Sequence, residues 1–572
     1  MLLKSKYVHP AACVLVLFCC VMVTRPFASI GVVDDWSYIW TARVLAATGH
    51  LVYNGFATAM LGWQVYLAAL FINFLGFSFT VVRSSGLVIS LLCAALMQRV
   101  FVRSGMTEWT GTIATLTLVL SPLFLPLAFS FMTDVPGLFI VVLCIYCCLR
   151  ALQSASDRSA LAWLAAAALS NVAGGTVRQI AWLGALIMVP SATWCMRHRR
   201  HVLPVGALLW IISGLSIELC MRWFHSQPYA IGEKLVFEVH TVSALYAMSG
   251  VIAALLLAMP IMVAFLVSWP DGKRSAGAVA ATAGAVIGSL LFWLTTKPQF
   301  SALRDLPFDG NYVTSKGVVT HDILGVQPEI IPTAIRFLLT VLTFSACACL
   351  IALLIRERGK WFRRNTAAPS TLSPYPYLSN ATLITLLGPF AAVYLLLIVT
   401  RVSVWDRYFL PFLFVFILFL VRIYSETISA RLPRTCVVVG LVYAAYGIAS
   451  THDLFVFERA RVVAADKVTN AGIPRTELNA GFEYDAWTQL EQTGYVNDPG
   501  LRSMPGAYHE LPAPDLSQSC VGWFVNYTPS IHPLLHLSRD KDSCYGESRF
   551  APVSYRTWLS PHERMIYILN DR

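Results

Sequence analysis

The chain has 572 residues, of which 57% are hydrophobic and only 13% charged, and its mean hydropathy is +0.64. This composition excludes an ordinary soluble globular protein and is typical of a polytopic membrane protein. The net charge of +11 does not indicate a nucleic-acid partner, because much of the basic charge lies in short clusters between apolar segments. Such clusters orient a membrane protein with its basic loops in the cytoplasm.

The first apolar segment covers residues 9–29 and follows Lys4 and Lys6. A charged start followed by an apolar run is also typical of a signal peptide. Because no convincing small-residue cleavage site follows, we favour an uncleaved anchor with a cytoplasmic N-terminus. Residues 31–80 then form a long first outer loop. Its second half, residues 61–79, is apolar but broken by glycine and polar residues, which favours a helix lying in the membrane interface.

The remaining apolar segments bring the prediction to about 13 transmembrane helices, each of roughly 17–25 residues. With residues 61–79 in the interface, the basic clusters at Arg99 and Arg103, at 197–201 and at 356–360 all fall on the cytoplasmic side. Counting that segment as a span would place every later cluster outside, against the positive-inside rule.

The chain after the last span has a different composition. It is polar, carries proline and glycine, and lacks a long apolar run. The sequence therefore predicts a transmembrane domain over residues 1–450 and a small α+β domain over residues 451–572, outside the cytoplasm.

The cysteines fit a membrane protein. Twelve of the 14 lie in or beside apolar segments, where cysteine behaves as a small hydrophobic residue. Cys520 and Cys544 lie in the outer domain and are candidates for a disulfide, two free thiols being the alternative. No spacing of cysteine and histidine indicates a zinc site.

Charged residues predicted outside but close to the membrane are the candidates for function. They are Asp34, Asp35, Arg43, His50, Asp134, Arg178, Arg401, Asp406 and Arg407. Carboxylates there can bind a metal, act as a general base or stabilise a developing positive charge, and arginines can grip a phosphate. This combination suits group transfer from a lipid phosphate. The simpler alternative is that Asp34 and Asp134 cap helices and that Arg407 is an interfacial anchor.

The order of these features resembles a known family. The residues that carry the resemblance are Asp34-Asp35-Trp36-Ser37-Tyr38, Ala42-Arg43, Thr48-Gly49-His50, Phe74-Leu75-Gly76, Val82-Arg83, Ser121-Pro122-Leu123, Thr133-Asp134-Val135-Pro136, Arg178, and Asp406-Arg407-Tyr408-Phe409-Leu410-Pro411. Their order and membrane placement resemble the GT-C glycosyltransferases that use polyprenyl-phosphate sugars. Within that family the chain is similar to the bacterial lipid A aminoarabinose transferases, the protein O-mannosyltransferases and the lipopolysaccharide-core galacturonosyltransferases.

The resemblance implies a GT-C-like fold and an inverting sugar transfer from a polyprenyl-phosphate donor to a lipid, glycan or protein acceptor. By this resemblance Asp34 is the candidate base, and Asp35 and Asp134 complete an acidic site. Arg407 and Arg178 are expected to hold the carrier phosphate. The same motifs make Arg43, His50 and Tyr38 candidates for substrate binding. No cofactor is certain, although two carboxylates can bind a divalent metal ion.

The resemblance also implies a bacterial inner membrane, with the C-terminal domain in the periplasm. A transporter or flippase of lipid-linked saccharides is the alternative from a different class. It predicts charged residues near the middle of the spans and paired broken helices.

Overall fold

The computed structural model describes residues 2–56, 58–232, 241–270, 274–310, 312–318, 323–362, 375–399, 404–496, 524–541 and 545–571. Within these ranges nine helices are long and apolar enough to cross a membrane. A tenth candidate is a pair of helices, Ala244–Leu257 and Met259–Val267, bent by 70°. The prediction of a helical polytopic membrane protein is confirmed.

The N-terminal half contains a long first helix, two helices in the first loop and seven further helices. They are α1 (Leu2–Thr24), α2 (Asp35–Thr48), α3 (Gly62–Leu75), α4 (Phe79–Arg103), α5 (Glu108–Val119), α6 (Phe124–Phe129), α7 (Asp134–Leu152), α8 (Asp157–Gly175), α9 (Val189–Cys195) and α10 (Val202–Ser226). Helix α3 coincides with the predicted interfacial segment. Its 14 residues reach about 21 Å, which is less than the roughly 30 Å of the hydrocarbon core.

The prediction of about 13 spans exceeds the nine or ten helices that have the length and composition of a span among the described residues. The sequence predicts one span over residues 109–129, but the structure breaks it into α5 and α6 at Ser121-Pro122, because proline cannot donate a helical hydrogen bond. Helix α8 has the length of a membrane span, but its composition is less apolar than that of the nine candidate spans. The span predicted just before the basic cluster at 197–201 is a short helical segment, Gln179–Cys195. It begins with a 3₁₀ turn and contains a π-helical stretch, Gly184–Met188.

The C-terminal half adds further helices to the bundle, and its last part lies beyond the bundle. Its helices are α11 (Thr241–Leu257), α12 (Met259–Val267), α13 (Arg274–Leu294), α14 (Thr333–Phe362), α15 (Asn380–Val399), α16 (Leu410–Thr427), α17 (Arg434–Thr469) and α18 (Phe482–Thr493). Helix α17 has 36 residues and is about 54 Å long, which is far longer than a bilayer requires. It therefore runs without interruption through the predicted domain boundary at residue 450.

Beyond α17 lies the predicted small sheet, whose presence is confirmed. The hairpin strands β1 (Val313–Thr314) and β2 (Gly317–Val318) belong to an earlier loop, and the sheet strands are β3 (Leu478–Asn479), β4 (Leu535–Ser538), β5 (Gly546–Glu547), β6 (Val553–Tyr555) and β7 (Arg564–Asn570). The order is β3-β4-β7-β5, with β6 also paired to β7. Only β3 and β4 are parallel among these described pairs.

The region after α17 packs directly on the first loop. Trp487 of α18 meets Trp40 of α2 edge to face at a ring-centroid distance of 5.3 Å. Phe482 contacts Trp36 in the same way, also at 5.3 Å. The C-terminal region and the first loop therefore form one packed layer at the end of the bundle where α2 begins.

At the opposite end of the bundle, the basic residues predicted to be cytoplasmic lie together. Arg99 at the end of α4 donates to Glu108 at the start of α5 over 3.0 Å. Arg103 donates to Gln153 over 2.8 Å, and Arg422 donates to the backbone carbonyl of Ser104 over 2.6 Å. Several predicted basic clusters thus share one end of the bundle, as the positive-inside rule requires. Assignment of that end to the cytoplasm stays a prediction.

Candidate functional site

Asp34 and Asp35 lie at the start of α2 and point to different partners. Asp34 occupies the N-cap position, but its side chain makes no capping hydrogen bond. Its carboxylate instead accepts a hydrogen bond from Nη2 of Arg407 over 2.9 Å, across 373 positions of the chain. The alternative that Asp34 is simply a helix cap is therefore not supported. The Asp34 side chain is 21% exposed, so it is the accessible member of the acidic pair.

Arg407 is held at the start of the span formed by α16. It belongs to a 3₁₀ turn, Asp406–Phe409, that leads into α16. The Asp406 carboxylate fixes this turn by accepting hydrogen bonds from the backbone N–H groups of Val313 (2.7 Å), Tyr312 (3.2 Å) and Arg407 itself (2.8 Å). Asp406 therefore has a structural role, because it holds the turn that places Arg407 in the site.

Arg407 keeps unused donors in this position. Its Nε and Nη1 atoms are buried and have no hydrogen-bond partner among the described residues. The hydroxyl of Tyr312 is also buried and has no hydrogen-bond partner among the described residues. A buried donor without a partner costs about 1–3 kcal/mol. Three such donors lie beside one another and are available to an anion.

A second acid–arginine pair adjoins the first. Nη1 of Arg178 lies 2.7 Å from Oδ1 of Asp134, and it also donates to Thr133 over 3.3 Å. Asp134 is the first residue of α7, and the N-cap, Thr133, makes no side-chain capping hydrogen bond. The side-chain stem of Arg178 lies over Gly137, where an added Cβ would come within 3.0 Å of its Cδ atom.

Tyr408 joins the two pairs. Its ring lies 5.0 Å from the guanidinium carbon of Arg178 and 5.9 Å from that of Arg407. Tyr38 follows Asp34 by four positions, on the same face of α2. Burial and then the neighbouring Asp34 carboxylate raise the pKa of the Tyr38 phenol well above its usual range. Tyr38 is therefore a neutral hydroxyl beside both ion pairs.

Asp35 is enclosed in a separate network. Its carboxylate accepts from Nε of Arg83 over 2.8 Å and from the backbone N–H groups of Val32 (2.7 Å) and Phe131 (3.1 Å). Arg83 in turn donates to the backbone carbonyls of the preceding loop. Asp35 has no exposed surface. It is placed to fix the loop rather than to touch a substrate.

Two predicted substrate-binding residues lie elsewhere. Arg43 is nine positions after Asp34, about 13 Å along α2. It packs over the rings of Trp40 and Phe77, and its Nη1 atom lies 3.7 Å from Glu491 in α18. His50 is exposed just beyond the end of α2. The structure therefore brings Asp34, Tyr38, Asp134, Arg178 and Arg407 together and leaves Arg43 and His50 outside.

Sequence reasoning did not single out Asp309, Tyr312 or Tyr408 as site residues. Asp309 is buried, and burial together with the neighbouring Asp406 carboxylate raises its pKa to about 8. Tyr408 was visible in the sequence as the residue after Arg407. Asp309 and Tyr312 gave no comparable signal, because their loop has no helical or strand periodicity that would orient it.

The metal and disulfide predictions remain open. Among the described residues, no three His, Cys, Asp or Glu side chains are grouped as metal ligands. Cys520, Cys544 and Arg401 lie outside the described residues.

The fold and site together define a polytopic helical membrane protein with an acid–arginine cluster at one end of its bundle. No protein-family model matches the chain, and no curated protein matches its sequence. The chain is similar to the structure of ArnT from Cupriavidus metallidurans in the apo state, with 13% identity, a TM-score of 0.39, and coverage of 99% of this chain and 98% of that one. The same protein bound to undecaprenyl phosphate matches with 12% identity, a TM-score of 0.36, and coverage of 98% and 97%.

A third match is the archaeal oligosaccharyltransferase AglB from Archaeoglobus fulgidus, in complex with an inhibitory peptide and a dolichol-phosphate. It has 15% identity and a TM-score of 0.39, and the match covers 81% of this chain and 58% of AglB. All three TM-scores are below 0.5, so the functional proposal depends on the geometry of this chain.

Proposed function

We propose that this protein is a membrane glycosyltransferase that moves a sugar from a polyprenyl-phosphate donor to a hydroxyl of a lipid, glycan or protein acceptor. The observation that carries the proposal is the pairing of Asp34 with an arginine whose two other nitrogens are buried and unpaired. A carboxylate next to unpaired arginine donors, at the end of a membrane bundle, matches what transfer from a lipid phosphate needs.

The reaction balances with the groups present. The acceptor hydroxyl gives its proton to the Asp34 carboxylate, and its oxygen forms the new bond to the anomeric carbon of the sugar. The bond between that carbon and the phosphate oxygen breaks, and polyprenyl phosphate leaves with the electron pair. Attack opposite the leaving group inverts the anomeric carbon. Arg407 stabilises the charge that grows on the leaving phosphate.

The neighbouring groups have distinct roles in this scheme. Arg178 supplies a second positive charge near the phosphate, and Asp134 orients Arg178. The neutral hydroxyls of Tyr38 and Tyr312 donate hydrogen bonds to the donor. Asp35 is a positioning residue, because its carboxylate is fully engaged away from the exposed side of Asp34. No step requires a metal ion, and a divalent ion bound by substrate phosphate is compatible with the same residues.

The proposed location is a bacterial inner membrane, with the site at the periplasmic end of the bundle and the N-terminus in the cytoplasm. The layer of arginines that includes Arg99, Arg103 and Arg422 supports this orientation. A polyprenyl carrier would then reach the site from the outer leaflet, where the acceptor is also found.

The flippase alternative is less well supported by the placement of charge. In the described spans, buried charged residues such as Arg83, Asp134 and Arg422 lie within two turns of a helix end. A transporter of a charged lipid is expected to bind it near the middle of the membrane.

The test is an Asp34→Asn variant, purified in detergent and assayed for transfer of radiolabelled sugar from polyprenyl phosphate to an acceptor extract. We expect turnover to fall by about 100-fold or more, because loss of a general base typically costs that much. Asp157→Asn is the matched control. Asp157 also faces an arginine, Arg199 at 3.6 Å, but at the other end of the bundle. Unchanged transfer by Asp34→Asn would remove Asp34 from the mechanism.

A further inference from the structure

Two arginines that are distant in sequence meet at the end of the bundle where α2 begins. Arg25 directly follows the last residue of α1, and Arg459 lies in the second half of α17. Nη1 of Arg459 donates to the backbone carbonyl of Arg25 over 2.7 Å and to that of Phe27 over 3.2 Å. Arg25 is also the charged neighbour whose field acts on the Arg459 guanidinium. The two residues therefore form one surface feature, the α1–α17 arginine pair.

No acid neutralises this pair within the part of the chain that the structure describes. Arg25 is exposed, and its side chain makes no hydrogen bond or ion pair there. Arg459 is half-buried and uses only Nη1, so its Nε and Nη2 atoms are available to a ligand. Glu458, the residue before Arg459, pairs with Arg461 on another face of α17. Two adjacent positive charges without a counter-charge favour an anionic ligand, and guanidinium groups bind phosphate especially well.

The lengths of both helices place the pair at the level of lipid headgroups. The apolar stretch of α1, Tyr7–Thr24, has 18 residues and is about 27 Å long, and Arg25 comes immediately after it. Helix α17 begins at Arg434 at the opposite end of the bundle, and Arg459 lies about 37 Å further along it. The hydrocarbon core of a bilayer is about 30 Å thick, and the headgroup layers bring the total to about 40–45 Å. Both helices therefore carry their arginine just beyond the hydrocarbon core.

The surface between the pair and the middle of the membrane is apolar and exposed. Met22 and Val23 in the last turn of α1 are exposed, and so is Phe27 beside the pair. On α17, Leu441 lies about five helical turns before Arg459, which puts it on the same face, and it is exposed as well. A lipid whose phosphate contacts the arginines thus has an apolar surface along which its acyl chains can lie.

The position of Arg25 is itself unusual. Its φ of +47° is a left-handed conformation that favours glycine at the end of a helix. Its backbone N–H closes α1 by donating to the carbonyl of Val21 over 2.9 Å. In the proposed orientation both arginines are also on the side of the membrane where basic residues are disfavoured. A bound anion gives a physical reason for an arginine at this place.

From these observations we infer that Arg25 and Arg459 bind the headgroup phosphate of an anionic phospholipid of the membrane. The two guanidinium groups donate hydrogen bonds to the phosphate oxygens, and the acyl chains lie against α1 and α17. The bound lipid ties these two helices together at the start of the first loop. Neither arginine belongs to the acid–arginine cluster, so the inference does not depend on the proposed sugar transfer.

The test measures lipid binding to the purified full-length chain by native mass spectrometry in detergent. The probes are dioleoyl phosphatidylglycerol, which is anionic, and dioleoyl phosphatidylcholine, which has the same chains and no net charge. We expect the anionic lipid to bind at least about fivefold more tightly. Arg25→Gln and Arg459→Gln should each weaken its binding by about fivefold, as expected for the loss of one basic residue at a membrane surface. Equal binding of the two lipids by the parent protein, or an unchanged preference in Arg25→Gln, would overturn the inference.

Matched variants separate lost binding from lost structure. Arg556→Gln removes an arginine that is 85% exposed in the C-terminal region, and it should keep the full preference for the anionic lipid. Arg25→Lys keeps the charge and should retain most of the preference. Phosphatidylglycerol should raise the melting temperature of the parent and of Arg556→Gln more than that of Arg25→Gln, because a ligand stabilises only the form that binds it. The inference fails if Arg556→Gln loses as much affinity as Arg25→Gln, or if the lipid stabilises Arg25→Gln as much as the parent.

Two further probes distinguish a phospholipid from other sources of phosphate. Soluble glycerol 1-phosphate should not displace phosphatidylglycerol at equal concentration, and displacement would show a site for free phosphate instead. Farnesyl phosphate stands for the proposed lipid carrier, and its affinity should fall more in Arg407→Gln than in Arg25→Gln. The reverse order would assign the arginine pair to the carrier and would refute a phospholipid site.

Discussion

Replacing Asp35 with asparagine separates a positioning role from a catalytic one. The Asp35 carboxylate accepts hydrogen bonds from the Nε and Nη2 atoms of Arg83 and from the backbone of Val32 and Phe131. Asparagine keeps one acceptor oxygen, removes the negative charge and turns an N–H₂ group toward groups that are themselves donors. The substitution therefore leaves the buried guanidinium of Arg83 without a counter-charge.

The expected effect is large. Removing one partner of a buried ion pair typically costs about 3–5 kcal/mol, since the remaining charge stays desolvated. Total stabilities of proteins are of the order of 5–15 kcal/mol, so this loss is a substantial fraction. Asp34→Asn is the matched comparison. The Asp34 carboxylate is 21% exposed, and Arg407 keeps a second acid, Asp134, nearby, so we expect the loss of this pair to cost less than the loss of Asp35.

The assay combines thermal unfolding of the purified protein with transfer activity per folded molecule. Asp35→Asn should lower the melting temperature and the folded yield while the remaining folded protein keeps measurable activity. Asp34→Asn should show the opposite pattern. A normal melting temperature with lost activity in Asp35→Asn would refute this reasoning. Asp35 would then be a catalytic residue, as the sequence predicted.

Two further predictions follow from other contacts. Gly137→Ala should raise the KM for the polyprenyl-phosphate donor by roughly threefold to tenfold, because the new methyl group displaces the stem of Arg178. The control is Gly388→Ala, whose Cβ meets only ordinary contacts at 3.5 Å and which should leave that KM unchanged. An equal effect of the two substitutions would contradict the explanation. Burial lowers the pKa of His536 from 6.5 to about 4. As pH falls, the unfolded state therefore binds a proton before the folded state does. The folded state loses about 3 kcal/mol of stability between pH 6.5 and pH 4. Melting temperatures between pH 7 and 4.5 should therefore fall less steeply in His536→Gln than in the parent, whereas the exposed His562→Gln should follow the parent.

Much of the fold was predictable from local sequence, because apolar length and the position of arginines are local properties. The joint placement of Arg99, Arg103 and Arg422 at one end of the bundle follows from counting spans and basic clusters. The break at Ser121-Pro122 was visible as a motif, but hydropathy averaged over a window does not distinguish a broken helix from a continuous one. The length of α17 was underestimated for a related reason. Its second half is polar in sequence yet packed, with Arg461 completely buried between Glu458 and Glu483.

The candidate site was only partly predictable. Asp34, Asp134, Arg178 and Arg407 were selected from their order and membrane placement, and the structure does bring them together. Asp34 and Asp35 have different partners because their side chains point in different directions. Successive residues at the start of a helix point about 100° apart, so one carboxylate faces Arg407 and the other faces Arg83. Arg43 and His50 lie away from this cluster because they are two or more helical turns further along the chain than Asp34.

The two acids also depend on each other. Val33, immediately before Asp34, has a φ of +56°, which is a strained conformation for a β-branched residue and costs of the order of 1–3 kcal/mol. The Asp35 carboxylate accepts hydrogen bonds from the backbone N–H groups of Val32 and Phe131 and pairs with Arg83, and these contacts offset that strain by holding the turn against α4 and the α6–α7 loop. With the turn held, Asp34 projects out of the helix toward Arg407 instead of folding back to cap α2. The buried Asp35 carboxylate therefore holds the turn that directs Asp34 toward Arg407.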